Sequence, residues 1–172
     1  LRNNRRLIIS PTGSGKSLMI YAVARYHVGR KRRILLVVPT TSLVEQMYKD
    51  FTDYGWDVEK YCHKVYAGRS KNTQQRVTIS TWQSIYTMDK TFFSQFDVII
   101  GDEAHQFKSK SLVNIMSKMR DTKYRYGFTG TLSGSQTHKW VLEGLFGPSY
   151  KVTDTSDLQT KGQLAKLDIR II

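Results

Sequence analysis

Leu7-Ile8-Ile9-Ser10-Pro11-Thr12-Gly13-Ser14-Gly15-Lys16-Ser17 is the stretch on which the reading of this 172-residue chain turns. Three aliphatic residues, the first two after Arg5-Arg6 and the last before a serine–proline turn, read as a short buried strand. The residues after Lys16 carry apolar positions at helical spacing to about 28, so the loop joins a strand to a helix. Glycines at 13 and 15 let the backbone curl without Cβ clashes, so its N–H groups can point inward at an anion. The helix that follows aims its positive end at the same place. Pro11, Thr12, Gly13, Ser14, Gly15, Lys16 and Ser17 are therefore the expected phosphate-binding loop, with Lys16 on the β- and γ-phosphates and the Ser17 hydroxyl on Mg²⁺. The pattern ordinarily opens on glycine; Ser10 stands there instead, and a small residue still permits the turn.

The same alternation continues outward. Ile34 to Val38 stops at Pro39 and is followed by a helix whose Leu43, Met47, Phe51 and Tyr54 fall on one face. Val77-Thr78-Ile79 and Val98-Ile99-Ile100 are further strands, the latter followed by a stripe of Leu112, Ile115, Met116 and Met119. Tyr124 to Thr129 is a fifth strand, with a helix near 137–146. Continuous β-branched runs between helices predict an α/β fold: a parallel sheet covered on both faces. Ligands of such sheets bind at the carboxyl ends of the strands, so the loops after strands carry the chemistry.

One such loop is Asp102-Glu103-Ala104-His105. Asp102 at a strand tip beside a phosphate loop is placed to hold Mg²⁺, directly or through water. Glu103, expected to point to the other side, can orient or deprotonate an attacking water. An acidic helix cap would read the same way in isolation; the Lys16-Ser17 pair on the same sheet favours the metal reading.

Lys and Arg number 27 against 14 Asp and Glu, a net charge of +13. Basic residues recur along the chain: Arg5-Arg6, Arg30 to Arg33, Arg76, and Lys118 to Arg125. Any single run can be a solvated turn, but the sum favours a phosphate-rich partner. The single cysteine, Cys62, excludes an intrachain disulfide, and Cys62-His63 lacks the ligand spacing of a structural zinc. A reducing, cytoplasmic setting follows as the expectation. No apolar run approaches the roughly 18 residues of a membrane span, so no membrane partner is expected.

Taken in order, the two sites resemble the superfamily 2 helicases, with the second motif in DEAH lettering. Val38-Pro39-Thr40-Thr41-Ser42-Leu43-Val44-Glu45-Gln46 looks like motif Ia, Ser80-Thr81-Trp82-Gln83-Ser84 like the segment around motif Ib, and Gly127-Phe128-Thr129-Gly130-Thr131-Leu132 like motif III. Thr-Trp-Gln, Leu-Phe-Gly-Pro and Gly162-Gln163-Leu164-Ala165 are most similar to UvsW-type phage helicases and to restriction-enzyme motor subunits of the type III (ResIII-like) kind. The resemblance implies a RecA-like P-loop NTPase domain with ATP and Mg²⁺ as cofactors. Lys16, Asp102 and Glu103 would be its catalytic residues, and Ser17 and Asp102 its metal ligands. His105, Thr129, Gly130 and Thr131 would couple nucleotide state to movement. Pro39, Thr40, Gln46, Thr81 and Trp82 would lie near nucleic acid. Each of these residues also has an ordinary structural reading, as core, turn or solvated surface.

The implied function is an ATP-dependent helicase or translocase motor that remodels duplex or branched DNA as part of phage recombination or repair, in the host cytoplasm if phage-encoded. An RNA helicase of the DEAH type, or a non-catalytic nucleic-acid-binding module that keeps the fold, are the alternatives. A small-molecule phosphotransferase leaves the charge unexplained. Residues 1–150 are expected to form the first RecA-like domain, and 151–172 an exit toward a second one outside this sequence. Without that second domain and its arginine fingers, ATP hydrolysis is expected to be slow.

Overall fold

A computed structural model describes residues 4–11, 13–66, 74–107, 109–130 and 136–152. Among these, seven strands form one sheet in the order β3-β4-β2-β5-β6-β1-β7, every neighbouring pair parallel. The strands are β1 (Arg5–Ile9), β2 (Ile34–Val38), β3 (Cys62–Val65), β4 (Val77–Thr81), β5 (Val98–Gly101), β6 (Tyr124–Thr129) and β7 (Ser149–Lys151). The main helices are α1 (Lys16–Val28), α2 (Thr41–Asp53), α6 (Ser109–Lys118) and α7 (Gln136–Phe146); short helices α3 (Val58–Tyr61), α4 (Trp82–Ile85) and α5 (Lys90–Ser94) lie between them. The five expected strands and the four long helices are all present. Two strands went unread, β3 and β7, and both lie at the sheet edges.

The sheet divides the core in two because side chains alternate across a strand. Ile34, Leu36 and Val38 pack with α1 and α2, through Ile20, Ala24, Val44, Met47 and Phe51. Leu35 and Val37 face the other way and meet Ile85, Phe93, Leu112, Ile115 and Phe146. All five residues of β2 are buried, as a central parallel strand requires. Gly101 and Gly127, partners across β5 and β6, leave the floor on which the Phe146 ring of α7 rests. Any side chain at Gly127 would sit 2.8 Å from that ring.

β7 runs one residue past the expected boundary at 150, pairing with β1 through Lys151. From 153 on, the expected exit segment, Gly162 to Ala165 included, lies outside the described residues. Among the described residues no helix is long and apolar enough to cross a membrane.

Candidate nucleotide site

β1, β2, β5 and β6 deliver their carboxyl ends to one side of the sheet, and the expected site residues gather there. The loop after β1 turns with Gly13 at φ 80° and Gly15 at φ 79°, conformations open to glycine and strained for other residues. A Cβ at Gly15 would meet no atom within 4 Å, so the space beside the loop is free. Ser10, in the place usually held by glycine, is buried and does structural work: its N–H donates to Thr129 O at 2.8 Å and its hydroxyl bonds that of Ser14. Ser14 Oγ in turn donates to Pro11 O, closing the loop on itself. Thr12 lies outside the described residues.

Lys16 opens α1 and reaches both carboxylates that follow β5. Its Nζ is 3.1 Å from Asp102 Oδ1 and ion-pairs with Glu103 Oε1. The expectation that Glu103 points away from Asp102 is therefore corrected. Strand alternation ends at Gly101, and Glu103 takes a left-handed backbone, φ 50°, which swings its side chain back toward the lysine. Asp102 is 3% exposed; burial raises its carboxyl above the usual range, and Lys16 opposes that shift. Two carboxylates this close are held together by the single ammonium between them.

Ser17 Oγ shares a 2.7 Å hydrogen bond with Tyr54 OH, a residue that the helical stripe had marked only as core. A contact between residues 37 apart leaves no trace in local spacing. A cavity of about 440 Å³ opens beside the loop, lined by Gly13, Lys16, Ser17, Gln46, Asp50 and Asp102 among others. That volume lies within the ~300–1,000 Å³ of small-ligand sites.

The same end of the sheet links β5 to β6. His105 Nδ1 is 2.7 Å from Thr129 Oγ1 and 3.4 Å from Glu103 Oε2. Burial, then the nearby Lys16 and His138, hold this imidazole below its ordinary pKa. His138 Nε2, from α7, lies 3.2 Å from His105 O. Gly130 sits at the same point, 4.0 Å from Glu103 Oε2 measured from a Cβ built on it. Thr131 lies outside the described residues.

The residues expected near nucleic acid are scattered by comparison. Pro39 and Thr81 are buried, and Thr81 Oγ1 bonds Ser84 Oγ at 2.8 Å. Exposed Thr40 caps α2, its hydroxyl accepting from Leu43 N. Gln46 faces the nucleotide-sized cavity, and Trp82 is half-buried against Tyr86 and the second core.

The donor set suits a triphosphate with Mg²⁺: free space beside a left-handed glycine loop, an ammonium, a hydroxyl and one buried carboxylate. Mg²⁺ typically keeps several waters and takes one or two protein carboxylates, so Ser17 and Asp102 are enough. Among the described residues no cluster of three or more His, Cys, Asp or Glu could hold a metal.

Residues 1–134 match the family described as type III restriction enzyme, res subunit. The chain belongs to that family. It is 34% identical over 177 residues to the ATP-dependent DNA helicase UvsW of Enterobacteria phage T4, an alignment covering all of this chain and 35% of the relative. It is also 28% identical to the DNA 3'-5' translocase XPB2 of Sulfurisphaera tokodaii, over 99% of this chain and 36% of that protein. The chain thus spans about a third of the length of these relatives. A crystal structure of the UvsW helicase of bacteriophage T4 superposes with a TM-score of 0.77, covering 86% of this chain and 54% of that one. A Pyrococcus furiosus Hef helicase domain, at 19% identity, shares the fold with a TM-score of 0.70 over 92% of this chain and 38% of that one. The sheet is the RecA-like fold of superfamily 2 helicase motor domains, as the sequence implied.

Proposed function

We propose that this chain is the first RecA-like motor domain of an ATP-dependent DNA helicase or translocase. The observation that carries the reading is the meeting of Lys16, Asp102 and Glu103 beside the 440 Å³ cavity in a chain of this family. The glycine loop, Lys16 and Ser17 would hold the triphosphate, and Ser17 with Asp102 the Mg²⁺. Bound ATP supplies the phosphoryl bond whose hydrolysis drives movement. To hold the triphosphate, Lys16 would exchange its carboxylate partners for phosphate oxygens, and Ser17 would release Tyr54. Glu103, freed of the lysine, would then be placed to accept the proton of an attacking water. His105 and Thr129 join the Glu103 loop to the end of β6, so a shift of Glu103 would be felt at Gly130.

Residues 1–150 would form this domain, with 151–172 leading to a second RecA-like domain that completes the site. The two relatives' greater length supports that reading. An arginine supplied across such an interface is worth roughly 10³–10⁵ in rate in related phosphoryl transfer. ATP turnover by these 172 residues alone is therefore expected to be slow. DNA is proposed ahead of RNA on the strength of the two DNA-acting relatives, and a cytoplasmic setting on the lone buried cysteine.

The test is Lys16→Ala in the full-length protein, with ATPase followed at increasing DNA and RNA. ATP hydrolysis and unwinding should vanish while DNA binding persists, and the wild type should be stimulated more by DNA than by RNA. Unwinding that survives the substitution refutes the motor reading.

A further inference from the structure

At the opposite end of the sheet, where the strands begin, the chain concentrates its positive charge. Arg5 starts β1, Arg32 and Arg33 precede β2, Arg76 precedes β4, and Lys123 precedes β6. Their registers are level: Ile34 pairs with both Val77 and Val98, Val98 with Tyr124, and Arg5 with Arg125. Arg76 Nη1 donates to Lys31 O at 2.8 Å, which ties the basic turn before β2 to the start of β4.

A cleft of about 320 Å³ lies within this face, lined by Arg32, Lys90, Lys118, Lys123 and Tyr124 among others. Two carboxylates sit among these cations: Asp97 Oδ2 accepts from Arg33 N at 2.9 Å, and exposed Asp121 Oδ2 is 3.8 Å from Lys90 Nζ. Arg30 and Arg32 are held by neutral groups. Arg30 lies 3.6 Å over the Tyr26 ring, and Arg32 lies 4.1 Å over Tyr124 while donating to His27 Nδ1 at 3.0 Å. Stacking fixes a guanidinium without neutralising it. Among the described residues, Arg30, Lys31, Arg32, Arg120 and Lys123 make no ion pair.

We propose that this face grips the phosphodiester backbone of nucleic acid, as a second contact separate from the nucleotide cavity. The proposal rests on the motor reading for its partner and goes beyond it in placing the grip. From β4 to β1 the face crosses four strand spacings, about 19 Å at ~4.8 Å each. That length matches five or six nucleotide steps at ~3.4 Å per step. A level row of cations, with Arg30 and Arg32 held by stacking and without an ion pair, suits evenly spaced phosphates better than a folded acidic protein, which would need an apolar interface core as well. Contacts of this kind read no sequence.

The test uses Arg30→Glu, Arg120→Glu and Lys123→Glu together, three exposed positions remote from the cavity, with the matching Gln triple as a milder variant. Binding to a mixed-sequence DNA duplex, and to RNA of the same sequence, is followed by fluorescence anisotropy between 50 and 200 mM salt. The log–log salt slope for DNA should become shallower by about two to three, at ~0.9 per lost phosphate contact. Weakening should be graded from Gln to Glu and shared by DNA and RNA, with nucleotide affinity and the thermal melting point unchanged. Lys16→Ala should keep the wild-type slope. An unchanged slope in both triple variants overturns the proposal and leaves the motor reading standing; retained nucleic-acid binding with lost binding of polyglutamate would assign the face to an acidic protein instead. A wild type that binds no nucleic acid at all removes both.

Discussion

His27 is the last turn of α1 and has no access to solvent. Its Nδ1 accepts from the Arg32 guanidinium, which can only donate, so Nε2 carries the proton and meets Tyr126 OH at 3.2 Å. Protonating the ring would set an N–H against the Arg32 N–H in a buried site. Burial, reinforced by Arg32 and Arg30, accordingly lowers this pKa from 6.5 to about 4. The sign follows from linkage. Between pH 4 and 6.5 the unfolded chain binds a proton at this residue that the folded chain refuses, so stability is lost as pH falls through that window. At about 1.4 kcal/mol per pK unit, the full loss is about 3 kcal/mol. For a domain of this size that corresponds to a melting point lower by about 6–12 °C. His27→Gln removes the titration while keeping an acceptor for Arg32 and a donor for Tyr126. Thermal melts of both proteins from pH 8 to pH 4 should therefore diverge below pH 6.5, the wild type falling faster by the amount above. Parallel profiles would refute the buried neutral histidine.

The floor beneath Phe146 gives a second prediction. Gly127→Ala places a methyl 2.8 Å from that ring and 2.9 Å from Leu7 Cδ1, and should cost about 1–3 kcal/mol in chemical denaturation. Phe146→Leu in that background should recover part of the loss; strictly additive effects would show that the two do not share the space. At the site, Tyr54→Phe removes the competitor for the Ser17 hydroxyl. ATP–Mg²⁺ affinity should rise by about 2–10-fold, the equivalent of ~0.5–1.5 kcal/mol for one hydrogen bond, in a nucleotide titration. Weaker binding would mean that Tyr54 supports the bound state.

What could be read in advance was whatever is local. β2 and β5 announce themselves because a strand buried on both faces reads as an apolar run, and β6 does so through Tyr124, Tyr126 and Phe128 despite buried Arg125. β3 did not, because an edge strand pairs on one side only and tolerates His63 and Lys64, the latter satisfied by Glu45 at 2.8 Å. β7 has three residues, too few for any period to register. The phosphate loop was legible because its chemistry needs fixed residue types at fixed spacing. Tyr54 on Ser17 and His138 on His105 were not, being contacts that only the folded sheet creates. Glu103 is the instructive failure: alternation is a rule about strands, and the residue that mattered stands two residues beyond the end of β5, at φ 50°.

The charge surplus shows the same division between amount and place. Its size was countable, and its location depends on the sheet being parallel throughout. In such a sheet every residue that follows a strand comes to one end and every residue that precedes one comes to the other. Lys16, Asp102 and Thr129 belong to the first group, and Arg32, Arg76 and Lys123 to the second. A five-residue strand such as β2 separates the two ends by about 17 Å. The charges that act on buried Asp102 are Lys16 and His105, both at its own end of the sheet and none from the basic end. Cations could therefore accumulate before the strands without disturbing the protonation of the carboxylates after them. On this argument the grip and the chemistry are electrostatically independent, and the salt dependence of nucleic-acid binding should not reappear in the affinity for nucleotide.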